Sequence, residues 1–168
     1  MPKFHLLRFF PAVAALTLVA GCSQTTNAEG TKAADEVKAS MTELVAAFVA
    51  RDADKAVSFD APDFVGMYHG TPNVVGQEAD RALTKQQVAD PGMKFSVGDA
   101  VVDAAASGDL VVWRATYNYT YTDPATKLPK TEVGNWVVGW KRGADGKMQE
   151  AWSVVSDTPA PAAAAPPA

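Results

Sequence analysis

His69 is the one histidine after residue 21, and it directly follows Tyr68. An imidazole suits proton transfer near neutral pH, so this pair could act on a bound molecule, with Asp63 as an acidic partner. The same histidine could equally be held in the turn His69-Gly70-Thr71 and do no chemistry. A second group of residues offers binding rather than reaction. All four tryptophans fall between Leu110 and Asp157. Trp113, Tyr117, Trp136, Trp140 and Trp152, with Tyr68, could line an apolar ligand pocket, since such pockets are mostly aromatic with a few orienting polar groups. Ordinary core packing is the competing use for each of them. A metal centre is not expected: one histidine and no spare thiol leave only carboxylates as further ligands. No phosphate loop, nucleophile elbow or paired-cysteine motif is present, and no cofactor is expected.

Cys22, the only cysteine, ends the string Val19-Ala20-Gly21-Cys22. Lys3 and Arg8 precede an apolar run, Phe9–Ala20, that falls short of the ~20 residues a spanning helix needs. A basic start, a short apolar run and a branched residue, two small residues and a cysteine resemble a bacterial lipoprotein signal. That implies cleavage after residue 21, lipidation of Cys22 with palmitate-type chains and attachment to the bilayer, facing the periplasm. Ser23 after the cysteine points to the outer membrane. Losing Lys3 and Arg8 and no acids moves the formal charge from −4 to −6, an acidic balance that argues against nucleic-acid partners. Residues 22–32 read as a flexible tether, 33–157 as one domain, and the Thr/Pro/Ala stretch 158–168 as a disordered tail.

The elements that would position these residues follow from periodicity. Lys32–Arg51 carries Val37, Met41, Leu44, Val45, Phe48 and Val49 at helical spacing. Asp52 can cap a short second helix, Ala53–Phe59. Phe64–Tyr68 reads as a strand and Gly76–Ala89 as a third helix, with Ala79, Leu83 and Val88 inward and Asp80 and Arg81 outward. Met93–Ala106 is a strand kinked at Gly98. Leu110–Thr122 alternates strictly, with Val111, Trp113, Ala115, Tyr117, Tyr119 and Tyr121 on one face. Glu132–Lys141 and Met148–Ser156 complete a meander through turns at Asp123-Pro124 and Asp145-Gly146. Arg114 and Glu132 could pair across neighbouring strands. Helices followed by a run of strands indicate an α+β domain: a curved antiparallel sheet packed against three N-terminal helices.

The string AAFVARDADKAVSFDAPDFVGMYHG, residues 46–70, resembles the opening of the nuclear transport factor 2-like superfamily, a cone-shaped α+β fold that includes ketosteroid isomerases and SnoaL-type cyclases. The strings from Ser107 to Asp157 resemble its DUF4440 branch. The resemblance implies fold more than function, because this fold hosts enzymes and non-enzymes. Matched to the isomerases, their oxyanion-hole tyrosine falls on Leu44, their general base near Tyr68 and their second acid near Val138. Leu44 and Val138 offer neither a base nor a donor, which argues against steroid isomerisation. The expectation is a lipid-anchored binder of a small hydrophobic molecule. The alternatives are an isomerase-, dehydratase- or cyclase-like enzyme using His69 or Tyr68 on a carbonyl compound, or a dimerising envelope protein.

Overall fold

The computed structural model describes residues 22–158 of the chain. The export signal expected at 1–21 and all but the first residue of the expected tail lie outside them. The first helix, α1, is longer than its apolar pattern suggested and runs Cys22–Val49. Ala33, Val37, Met41, Leu44 and Ala47 are buried at steps of three and four. The helix continues back through the stretch read as a tether. Gly30 is buried there, with the Ala105 carbonyl so close that a Cβ would lie 2.7 Å from its oxygen.

Arg51 ends the helix in the left-handed region at φ 66°. From there its guanidinium donates to the carbonyls of Val88, Asp90, Pro91 and Met93 and so fastens a distant loop. The Asp52 carboxylate then accepts from the Lys55 amide at 2.9 Å and starts α2, Ala53–Ala56, which runs into a 3-10 turn at Val57–Phe59.

Strands β1 (Asp60–Tyr68) and β2 (Val74–Val75) lead to helix α3 (Gln77–Val88). Strands β3 (Lys94–Val97), β4 (Val101–Ala104), β5 (Leu110–Thr122), β6 (Pro129–Arg142) and β7 (Met148–Asp157) follow. The sheet order is β2-β1-β7-β6-β5-β3, with β4 also paired to β5. The strand expected over 93–106 is thus two strands, broken at Gly98–Ala100, that occupy successive halves of β5. The meander is antiparallel, but β1 joins β7 in parallel, which makes the sheet mixed. The sheet bends round α1, which packs on β3, β4, β5 and β7.

Val111, Trp113, Ala115, Val138, Trp140 and Met148 pack against the α1 stripe as the main core. An extra residue in β7 interrupts the alternation: Gly139 pairs with Trp152, yet Trp140 pairs with Glu150. The bulge turns Trp152 to the outer face, over Gly139, and sends Glu150 and Ser153 inward. A Cβ at Gly139 would overlap the Trp152 indole. We therefore expect Gly139→Ala to cost about 1–3 kcal/mol in urea unfolding, and far less when Trp152→Ala is already present. Equal costs in both backgrounds would contradict that contact.

Candidate functional site

A cavity of about 380 Å³ lies between α1, α3 and the concave face of the sheet, within the size range of small-molecule sites. Its walls are apolar: Leu44 and Phe48 from α1, Leu83 from α3, Phe95 from β3, Tyr117 and Tyr119 from β5, Trp136 from β6 and Val155 from β7. The rings brace one another edge to face. Phe95 meets Phe48 at 5.1 Å and Trp136 at 5.8 Å between centroids. Burial pushes both Tyr117 and Tyr119 up to about 12, so their phenols keep their protons.

The floor is different in kind. Asp60 begins β1, Asp80 sits one turn into α3, and Glu150 comes from the bulged part of β7. They are 5%, 7% and 3% exposed. In the β1–β7 register Asp60 lies directly beside Glu150. The Gln77 amide donates to the carbonyls of Val57 (2.8 Å) and Asp60 (3.2 Å), which ties the start of α3 to the start of β1. Tyr68 Oη donates to Asp80 Oδ1 at 3.0 Å, and Thr84 Oγ1 lies 3.5 Å from Oδ2. Trp136 Nε1 donates to Ser153 Oγ at 2.7 Å, and Ser153 in turn bonds Glu150. Asp60 Oδ2 is buried without a hydrogen-bond partner.

Three acids this close and this dry cannot all ionise. Burial, then the charge of Asp80, raises Asp60 to about 8, although Arg81 pulls it down. Burial, then Asp60 and Asp80, pushes Glu150 well above the carboxylate range. Burial also raises Asp80, against the hydrogen bonds of Tyr68 and Thr84. Burial, followed by the charges of Asp80 and Glu150, raises the Tyr68 phenol. At neutral pH the floor is therefore a store of protons inside apolar walls.

The mouth carries charge. His69 Nε2 lies 2.6 Å from Asp157 Oδ1 and 3.3 Å from Glu132 Oε2. An ionised carboxylate only accepts, so Nε2 carries the hydrogen in this arrangement. Tyr121 Oη donates to Glu132 Oε1 at 2.7 Å, and Lys130 Nζ lies 3.0 Å from the same oxygen. Burial tends to raise Glu132, but these donors outweigh it and hold the carboxyl below its usual range. One donor atom from each of His69, Glu132 and Asp157 lies within 4.8 Å of the others. The fold thus brings together a histidine and two carboxylates that are far apart in the chain.

Of the residues singled out from sequence, Tyr68, Tyr117 and Trp136 line the cavity and His69 stands at its mouth. Leu44, on the position of the isomerase tyrosine, is part of the wall. Trp113 packs behind Trp136 with centroids 5.2 Å apart, Trp140 and Val138 are in the core, and Trp152 is on the outer face. Asp63 is exposed and off the lining. Arg114 pairs with Asp103 at 3.3 Å rather than with Glu132, which lies opposite Tyr119. On α3 the buried positions are Asp80, Thr84 and Val88, while Ala79 is exposed. Arg81 is a surface charge as expected, paired with Asp54 at 2.7 Å. The floor acids were not anticipated. Their signal was a carboxylate at an inward position, Glu150 two residues after Met148, and Asp80 one helical turn before Thr84.

Residues 41–151 match the model of the SnoaL-like domain. No curated protein matches the chain significantly. Among solved structures, an NTF2-like protein with a cystatin-like fold from Novosphingobium aromaticivorans superposes with a TM-score of 0.64 at 16% identity, over 84% of this chain and 95% of its own. A candidate dehydratase of the NTF2-like family from Streptomyces avermitilis gives 0.64 at 15% identity, over 78% and 99%. A ketosteroid isomerase-like protein from Erwinia carotovora atroseptica gives 0.60 at 20%, over 75% and 97%. At these identities the likeness is one of fold.

Asp60 keeps its proton to about pH 8 when folded, whereas an ordinary aspartate gives it up near 3.8. Between those values the folded state binds more protons, so stability falls as pH rises. Thermal unfolding should show a Tm that drops from pH 5 to pH 8. Asp60→Asn should decline less steeply and melt above the wild type at pH 8. A wild-type Tm that rises over this range would rule out the protonated floor.

Proposed function

Because the chain belongs to the SnoaL-like domain family, whose fold it shares with NTF2-like proteins, we propose that it binds a small, largely apolar molecule in the cavity. The molecule's one polar end sits on the carboxyl floor. The observation that carries this reading is the split lining of the 380 Å³ cavity: aromatic and aliphatic walls, with Asp60, Asp80 and Glu150 gathered at one end. Packing alone gives no reason to bury three acids beside a hollow, because each costs stability above its ordinary pKa. The narrower DUF4440 placement rests on the strings from Ser107 to Asp157. The lipid anchor at Cys22 rests on the string Val19-Ala20-Gly21-Cys22, and a periplasm-facing position at the outer membrane rests on Ser23 after it. A homodimer is supported by the outer sheet face, where Val65, Met67, Val137, Trp152 and Val154 are half-buried.

One preparation tests these together. Protein extracted from its own membranes should carry acyl chains and a co-purified small molecule in native mass spectra, which also read the subunit number. Cys22→Ser should move to the soluble fraction. Leu83→Trp, which fills the hollow, should lose the small molecule while still folding. A ligand-free wild type that also takes up no hydrophobic probe would end the binding reading.

Proton-transfer catalysis on a carbonyl compound is the second reading. Protonated carboxyls and the Tyr68 phenol favour it, because such donors in a dry site can stabilise an enolate. Here the acids stand at Asp60, Asp80 and Glu150, not at the isomerase positions Leu44, Tyr68 and Val138. Turnover of a hydrophobic ketone or enone panel should then fall about 100-fold or more in Tyr68→Phe, as for loss of one such donor. His69→Ala should change it less. Turnover indifferent to both variants would discard catalysis at this site.

A further inference from the structure

The polar end of the ligand can be specified further, on the premise that the cavity binds one. Two features of the floor bear on it. First, the described lining holds no lysine or arginine. The cation whose charge reaches Asp60 is Arg81 on α3, and its guanidinium is engaged outside the cavity by Asp54 at 2.7 Å and Glu78 at 3.4 Å. His69 is at the opposite end, against Asp157 and Glu132. Second, Asp60 Oδ2 lacks a partner although Asp60 is only 5% exposed and faces the hollow. A buried polar atom left unpaired costs about 1–3 kcal/mol, and a ligand that bonds to it recovers that cost.

We propose that the cavity takes an amine on an apolar scaffold, the ammonium lying between Asp60 and Glu150 and the hydrocarbon against Phe95, Tyr117 and Trp136. An ammonium is a donor without an acceptor, which suits carboxyls that become acceptors on losing a proton. Its charge offsets the mutual repulsion of the three carboxyls, and the surrounding ring faces attract a cation as well as hydrocarbon. Without a counter-charge the floor holds protons because the acids are dry and close together. A bound ammonium supplies the missing counter-charge, so one carboxyl ionises and its proton leaves to solvent. The amine arrives charged and stays charged; the balance is one proton released for each amine bound. A ketone would behave differently. It would accept from a protonated carboxyl, leave the floor neutral and release nothing.

The test uses three molecules with one skeleton: 4-phenylbutan-2-amine, 4-phenylbutan-2-one and 4-phenylbutan-2-ol. Each is titrated calorimetrically into the wild-type protein at pH 7.5, in two buffers of different ionisation enthalpy. The amine should bind at least ~10-fold tighter than the ketone or alcohol, the scale of one hydrogen bond to a charged group. Its heat should depend on the buffer in the direction of proton release, and the ketone's should not. Asp60→Asn should abolish the preference for the amine and leave ketone binding within about 3-fold, the usual size of an indirect effect. Glu150→Gln should do the same and guards against a local rearrangement peculiar to Asp60. If the ketone or alcohol binds as tightly as the amine, and Leu83→Trp blocks all three, the amine assignment fails and the cavity reading stands. If none of the three binds, or Leu83→Trp blocks none, both fail.

Discussion

The parallel register of β1 against β7 is the constraint on which the site depends. It sets Asp60 beside Glu150 at one end and Tyr68 beside Val155 at the other. His69, one residue past Tyr68, then meets Asp157, two residues past Val155. The register shifts between Asp60 and Val65, so the pair at Asp60 fixes the acids at the floor and the run from Val65 to Tyr68 fixes the histidine-carboxylate contact at the mouth. A shift of one residue in the run from Val65 to Tyr68 would turn those side chains to the other face and lose the contact at the mouth. The pairing is itself held at its edges, by Gln77 reaching back to the carbonyls of Val57 and Asp60, and by the Gly76 amide bonded to the Phe64 carbonyl at 2.8 Å.

The cavity persists because its walls are stiff. Phe48, Phe95, Trp113 and Trp136 contact one another as rings that cannot collapse inward without losing edge-to-face geometry. Arg51 adds a clasp at one rim by gathering carbonyls from the end of α3 and the loop before β3. The rigid shell faces a floor that is electrostatically unsettled. Its acids are tolerated in their protonated form, so the same burial that shapes the site also makes the folded state sensitive to alkali.

Much of the fold could be read from the chain. Strict alternation placed β5, and the alternation of Trp136, Val138 and Trp140 placed β6, because each strand has one dry face. The long-range elements could not be read. Nothing local in Asp60–Tyr68 states that it pairs in parallel with a strand some 90 residues away. The bulge in β7 inserts Ala151 and reverses the alternation after it, which is why Trp152 read as a pocket residue; Glu150, before the bulge, was passed over because a carboxylate is not expected on a dry face. On α3 an apolar stripe was sought, yet the helix turns Asp80 and Thr84 inward, because it roofs a polar floor and not a hydrocarbon core. The site was missed where it departs from the rule that apolar residues face in. Such departures are where function tends to concentrate.

The length of α1 has a geometric outcome for the whole molecule. The helix runs unbroken from Cys22 to Leu44 and Phe48, which touch the hollow. At about 1.5 Å per residue, roughly 33 Å of rod separates Cys22 from Leu44. A chain tethered by fatty acids at Cys22 would stand on one pole with its opening at the other. Such a protein would sample solutes from the aqueous side, not molecules dissolved in the leaflet beneath it.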